Sequence, residues 1–216
     1  MPTGSVARSQ PARIRQLVLR ALAAACALLL PAPLLGQGNA LTVPRNLAHL
    51  VDESELVLEG RVTSVALEPH PQLRHLLTVA VTLQVKEVLK GTAGGSTYTF
   101  RQAVIDRREQ GDRLGYRVGQ QLLLTLIRPN AYGLSSPAGM QQGRFSIALV
   151  PRGAAQATNG LGNLGLFHGL DSDLRARGAR LDPEVRAMIA EPRAGPLPLD
   201  HLKSLIRAIS ARSSPE

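Results

Sequence analysis

The sequence predicts a mainly β fold, a small barrel or sandwich of five or six short strands, with one short helix before them and helices after them. Three observations carry this. Apolar and polar residues alternate through 56–65 (LVLEGRVTSV) and 76–88, the period of half-buried strands. Turn residues punctuate the chain at short intervals up to residue 150, and a late run places Leu199, Leu202, Leu205, Ile206 and Ile209 on one face of a helix.

Residues 1–40 read differently from the rest. Arg8, Arg13, Arg15 and Arg20 are followed by the apolar run 21–30 (ALAAACALLL), then by Pro31, Pro33 and small residues, the three-part pattern of a secretory signal peptide. The run is too short for a membrane span, which needs about 20 apolar residues. Cleavage is expected between Gly36 and Ala40, with Gly38-Asn39-Ala40 fitting the small-x-small rule. A rival reading attaches lipid to Cys26, but Leu22 stands four residues before it, where the usual box has an aliphatic three before. The expected product is secreted or periplasmic, has no membrane span, and lacks cysteine. Disulfide frameworks, thiol catalysis and thiolate zinc sites are thereby excluded for it.

The chain carries 25 basic and 16 acidic residues, a net charge of +9. Four arginines leave with the signal, so the processed chain retains 21 basic residues and a balance of +5. Only Lys86, Lys90 and Lys203 are lysines, and no basic run exceeds two residues, so the charge reads as ordinary solvation without a nucleic-acid footprint.

Taken in order, Thr42 as cap, Pro44 in the first turn and Leu47, Leu50 and Val51 predict a short helix that Asp52, Glu53 and Glu55 end. This acidic group lacks the Asp-x-Asp-x-Asp-Gly loop of a calcium site and reads as a solvated turn. Strands follow at 56–65 and 76–88, paired as a hairpin around the turn 68–74, then at 97–101. The uninterrupted 122–127 (LLLTLI) predicts a strand buried on both faces, and 132–134 and 144–150 complete the set. The adjacent charges Lys86 and Glu87 break the alternation of 81–91 (VTLQVKEVLKG) and predict a β-bulge at a barrel corner. The expected organisation is a signal peptide at 1–40, a β-barrel domain at 41–150, a Gly-rich flexible loop at 151–181 and helices at 182–212 packing on the barrel. Asp182 and Pro183 start the first of these helices, and Lys203 and Arg207 lie on the wet side of the second.

No catalytic constellation stands out. Gly160-Leu-Gly162-Asn-Leu-Gly165 matches the dinucleotide fingerprint, but no strand runs directly into it and no sustained helix follows. Of the five histidines, His49, His70, His75, His168 and His201, only His70 and His75 could meet across a turn, and a third metal ligand is not evident. Tyr98 and Phe100 beside Arg101 could stack bases, yet with only three Tyr and three Phe in the chain they are more plausibly core. The sequence therefore assigns no catalytic, cofactor or metal residue, expects no cofactor and no nucleic-acid partner, and leaves the ligand-binding residues unknown.

The pieces LVLEGRV (56–62), VTLQVKEVLKG (81–91), TYTFR (97–101), VGQQLLL (118–124) and GRF (143–145) resemble a group of exported bacterial proteins of unknown function. More distantly they are similar to the netrin-like OB-fold module of tissue inhibitors of metalloproteases, over residues 47–150. The resemblance implies a five-stranded Greek-key OB-like barrel with helices packed outside, and speaks for fold rather than activity. The inhibitors' mechanism does not carry over, because the N-terminal cysteine that reaches the protease zinc has no counterpart in the processed chain. The expected function is an exported, non-catalytic OB-like domain with a binding or structural role, a monomer whose partner is an unknown protein or envelope component. The alternatives are a secreted protease inhibitor acting through a loop, and a hydrolase or metal-dependent enzyme with a dispersed site. Intact-mass measurement of the exported protein is expected to place its first residue between Gln37 and Leu41; a diacylated Cys26 would overturn that expectation.

Overall fold

The structure is a computed structural model that describes residues 43–104, 115–151, 153–190 and 194–211. The segment read as a signal peptide, with Cys26, its cleavage window and the cap residue Thr42, lies outside the described residues. So does nearly all of the polar connection after residue 104.

Helix α1 (Leu47–Glu53) leads into strand β1 (Ser54–Pro69), followed by β2 (Leu77–Lys90), β3 (Thr97–Ala103) and β4 (Gln121–Ile127). A short 3-10 turn (Met140–Gly143) precedes β5 (Arg144–Ala148) and β6 (Gln156–Asn159), then come α2 (Leu170–Ala176), α3 (Pro183–Ala190), β7 (Leu197–Pro198) and α4 (Leu199–Ser210). The strands form a seven-stranded sheet in the order β3-β2-β1-β4-β5-β6-β7, antiparallel throughout. The fold is mainly β, as the alternation predicts. It differs from the expected five- or six-stranded barrel in being open and seven-stranded, with β6 and β7 added and no strand at 132–134. β6 and β7 were hidden because they are short, and because QATN and LP carry no readable alternation. β6 and α2 both lie in 151–181, the stretch expected to be a loop, and Leu166, Leu170 and Leu174 there are buried. No helix among the described residues is long and apolar enough to cross a membrane.

Burial on both faces of the sheet follows from its curl. On one face Val57, Leu123 and Phe145 pack under α1 and α4, where Leu50, Leu202 and Ile206 are fully buried. On the other, Leu58, Val81, Leu83, Phe100, Leu122 and Leu124 meet inside the curve of β3-β2-β1-β4. The run 122–127 alternates between these two cores, which is why it contains no polar position except Thr125, itself buried and donating to the carbonyl of Gly143 at 3.2 Å. The expected strand at 132–134 is instead a strap. Isolated bridges join Leu134 to Arg101 of β3 and Pro137 to Leu126 of β4, so residues 134–137 run from the edge of β3, touching it at Arg101, to β4.

β1 and β2 are long, and three register shifts along their ladder bend them. The helix ends follow local chemistry. Asn46 caps α1, accepting from the amide of His49, while its Nδ2 donates to the His168 carbonyl and to Asp173 at the start of α2. The cap is therefore nearer the helix than the expected Thr42, and Pro44 stands ahead of the first turn rather than in it. Pro183 opens α3, as expected.

Contrary to expectation a strand, β6, runs directly into the dinucleotide-like glycine motif, but its neighbours are antiparallel and the motif forms a stapled turn instead of opening a helix. Asn159 and Asn163 exchange backbone-to-side-chain hydrogen bonds at 2.8 and 2.7 Å, and Asn163 Nδ2 also donates to the carbonyls of Ala157 and Gly195. Asn163 holds φ at +61°, where asparagine is one of the few tolerated side chains. Asn163→Ala is expected to lower stability by about 2–3 kcal/mol in urea unfolding, from unpaired buried groups and the left-handed backbone. Asn163→Gly should cost less than the alanine variant, since it removes the same bonds but relieves the φ penalty.

Candidate functional site

The interruption at Lys86 and Glu87 is where the structure places its densest charge. In the β1–β2 ladder Glu59 faces Glu87 and Gly60 faces Val85, leaving Lys86 as the extra residue of a β-bulge. The predicted bulge is thus present, although the sheet it bends is not closed. Strand alternation puts Glu59 on the same face as Val57, beneath α4, and it is 1% exposed. Burying a carboxylate costs several kcal/mol unless cations and hydrogen bonds replace its water.

Those cations come from two elements. The bulge turns Lys86 so that Nζ donates to Glu59 Oε1 at 2.7 Å. From α4, Lys203 forms ion pairs with Glu59 Oε2 and, at 2.8 Å, with Glu87 Oε2, while Arg207 one turn later pairs with the other Glu87 oxygen. Glu59 Oε2 has no well-directed hydrogen bond, so its compensation is ionic, from the nearby ammonium. Lys203 is buried, contrary to the wet-side position expected from its place on the helix. Burial alone would raise the Glu87 carboxyl, but its bonds to Lys203 and Arg207 outweigh this and hold it below the usual carboxylate range. Burial likewise disfavours the Lys203 ammonium, and the two carboxylates outweigh it and raise its pKa.

Beside this cluster, Glu59, Gly60, Arg61, Gln84, Lys86 and Gln121 line a groove of about 300 Å³. Gly60 is required by close approach, because a Cβ there would lie 2.8 Å from the Gln84 carbonyl oxygen. Arg61 Nε donates to the Gly119 carbonyl at 3.2 Å, which fixes the base of its guanidinium, and the Lys86 side chain is 66% exposed. Around the groove and cluster, four cations (Arg61, Lys86, Lys203, Arg207) meet two carboxylates (Glu59, Glu87). The accessible charge is positive, and the carboxylate at the base is committed to ion pairs.

The residues singled out in the sequence lie elsewhere. His70 is buried, with Nδ1 accepting from the amides of Gln72 and Leu73 and Nε2 lying 2.9 Å from the Tyr132 carbonyl oxygen, so both ring nitrogens are engaged in closing the hairpin turn. His75 is exposed. Among the described residues no group of three or more His, Cys, Asp or Glu is arranged to hold a metal ion. Phe100 sits in the second core, edge-on to Tyr116 at 5.7 Å, and Arg101 is tied to Thr78 and Glu68, so this trio does not form a stacking platform. The acidic residues around the end of α1 are spread among arginines: Asp52 with Arg177, Glu53 with Arg45, Glu55 with Arg128.

Sequence reasoning missed Glu59 and Lys203, though a signal existed. In a chain with 25 basic residues only three are lysines, and each makes a specific contact: Lys86 and Lys203 with carboxylates, Lys90 with the Val51 carbonyl at 2.6 Å, at the end of α1. Lysine's compact ammonium suits a narrow ionic niche that a planar guanidinium does not fill. Comparisons with family models, with curated proteins and with solved structures give no match to this chain.

Lys203→Met is expected to cost about 3–5 kcal/mol in urea unfolding, because it removes one of the two cations that neutralise the buried Glu59 and leaves Oε2 uncompensated. Adding Glu59→Leu should recover most of that loss. For pH, the lowered Glu87 value contributes stability above its ordinary 4.5, lost as pH falls through the folded value. The raised Lys203 value contributes below 10.5 and is lost as pH rises beyond it. Glu87→Gln should flatten the acid limb of a stability–pH profile, and an unchanged limb would contradict the pairing.

Proposed function

We propose that the chain is an exported, non-catalytic OB-like binding domain, and that the groove at the β1–β2 bulge takes an acidic group of a protein or envelope component. The observation that carries this reading is the groove itself, where Lys86 and Arg61 present positive charge beside a carboxylate already neutralised from behind. Glu59 is poorly suited to proton transfer while it is shared between two ammonium groups, which favours recognition over general acid–base chemistry. Amide side chains of Gln84 and Gln121 add donors and acceptors that can orient a carboxylate or phosphate.

The OB-like relationship is supported by the β1-β2-β3 meander, by the bulges that bend β1, and by the strap at 134–137 that links β3 to β4 around the second core. Export rests on the N-terminal pattern of Arg8 to Ala40.

The test is titration of isotope-labelled protein with a hexaglutamate peptide at low salt, followed by amide chemical shifts. Saturable changes centred on Arg61, Gln84, Lys86 and Gln121 are expected, weakened about tenfold or more in the Arg61→Ala, Lys86→Ala double variant. Absence of saturable binding, changes spread evenly over the surface, or reproducible turnover of a substrate would overturn the reading.

A further inference from the structure

A second cavity, of about 270 Å³, lies where four strand ends converge. Glu55 and Leu56 from the start of β1 form one wall, Thr92 after β2 and Tyr98 of β3 another, and Ile127 at the end of β4 with Pro129 beyond it a third. Its shape depends on Gly91, which has φ +77° and is so close to β1 that a Cβ would lie 2.3 Å from the Glu55 carbonyl oxygen. The volume falls below the range of about 300–1,000 Å³ usual for drug-sized ligands, so an occupant has to be small.

The lining contains one carboxylate, one aromatic ring, the hydroxyls of Thr92 and Tyr98 and three apolar side chains, and no cation. Such a set offers an anion no counter-charge within the lining, and its carboxylate and hydroxyl groups offer a purely apolar guest no complementary contact. A carboxylate next to an aromatic face suits an alkylated ammonium, whose diffuse charge is attracted by the ring quadrupole. Burial and the Glu55 carboxylate both push the Tyr98 phenol up, which places the carboxylate's field at the ring and keeps the ring neutral. Arg128 reaches Glu55 Oε2 at 2.5 Å from outside the cavity lining. Its side chain is 84% exposed, so this is a solvent-screened pair that an incoming cation can replace.

We propose that this cavity binds a small quaternary ammonium group, with Glu55 supplying the counter-charge and the Tyr98 ring the contact with its methyl groups. The inference is independent of the acidic-ligand groove, since it uses none of the same residues.

Choline and its neutral isostere 3,3-dimethyl-1-butanol are the probes, titrated against the purified protein with Tyr98 ring resonances as readout. Choline is expected to bind saturably with a Kd on the order of 1 mM, at least about tenfold tighter than the isostere. Glu55→Gln and Tyr98→Leu should each weaken choline about tenfold, Tyr98→Phe should retain it, and Arg128→Ala should strengthen it by removing the competing guanidinium. Unchanged urea midpoints would show that the variants remain folded. Equal binding of the isostere, loss of binding in Tyr98→Phe, or no saturable shift with choline in either the native or the Arg128→Ala protein would overturn the proposal.

Discussion

A charged carboxylate in the middle of a central strand is the constraint around which this domain is arranged. Glu59 is flanked in sequence by Leu58 and Gly60, pairs on one side with β2 and on the other with β4, and is covered by α4. An ordinary ladder would leave it without a cation, so β2 bulges to bring Lys86 over it, and α4 lies where Lys203 can reach both Glu59 and Glu87. Hydrophobic burial holds α4 on the sheet through Leu202, Leu205, Ile206 and Ile209. That force has no direction, whereas the ion pairs do. They select one rotation and one axial position of the helix among those its apolar stripe would allow.

The same bend creates the groove. Where the extra residue pushes β2 outward, Gly60 keeps the β1 backbone bare against Gln84, and polar side chains on either side are left facing a recess. A bulge is thus both the device that completes a buried charge and the device that shapes a surface. This economy explains why the surface next to the cluster is positive although the cluster itself is nearly balanced.

Much of the fold was legible because period and burial agree. The run 122–127, short and bounded by Gly119 and Pro129, reads as a strand buried on two faces, and 199–209 reads as a helix with one apolar stripe. β6 and β7 were illegible because four- and two-residue strands at a sheet edge need no alternation, only hydrogen bonds to a neighbour. Closure follows neither from the spacing of the strands nor from the resemblance. Local patterns fix strands, but whether a sheet closes depends on where distant edges land, and here the edge of β3 meets a strap instead of a strand. Of the candidate site, the bulge could be read and its consequence could not. Glu59 resembles any polar position of an alternating strand, and Lys203 borders an apolar stripe where lysines usually snorkel outward. Only their juxtaposition through tertiary packing makes them a pair.

The long reach of that pairing bears on the order in which the chain can settle. Lys203 and Glu87 lie 116 residues apart, and Glu59 is farther still. A polypeptide emerging N-terminus first exposes both carboxylate-bearing strands well before the helix that completes them has left the ribosome. Until then β1 and β2 can pair as a hairpin, but the carboxylate beneath the future helix must keep its water, and the face around it cannot dry. The helix Leu199–Ser210 therefore acts as a timing element: desolvation of the central sheet waits until Lys203 has arrived.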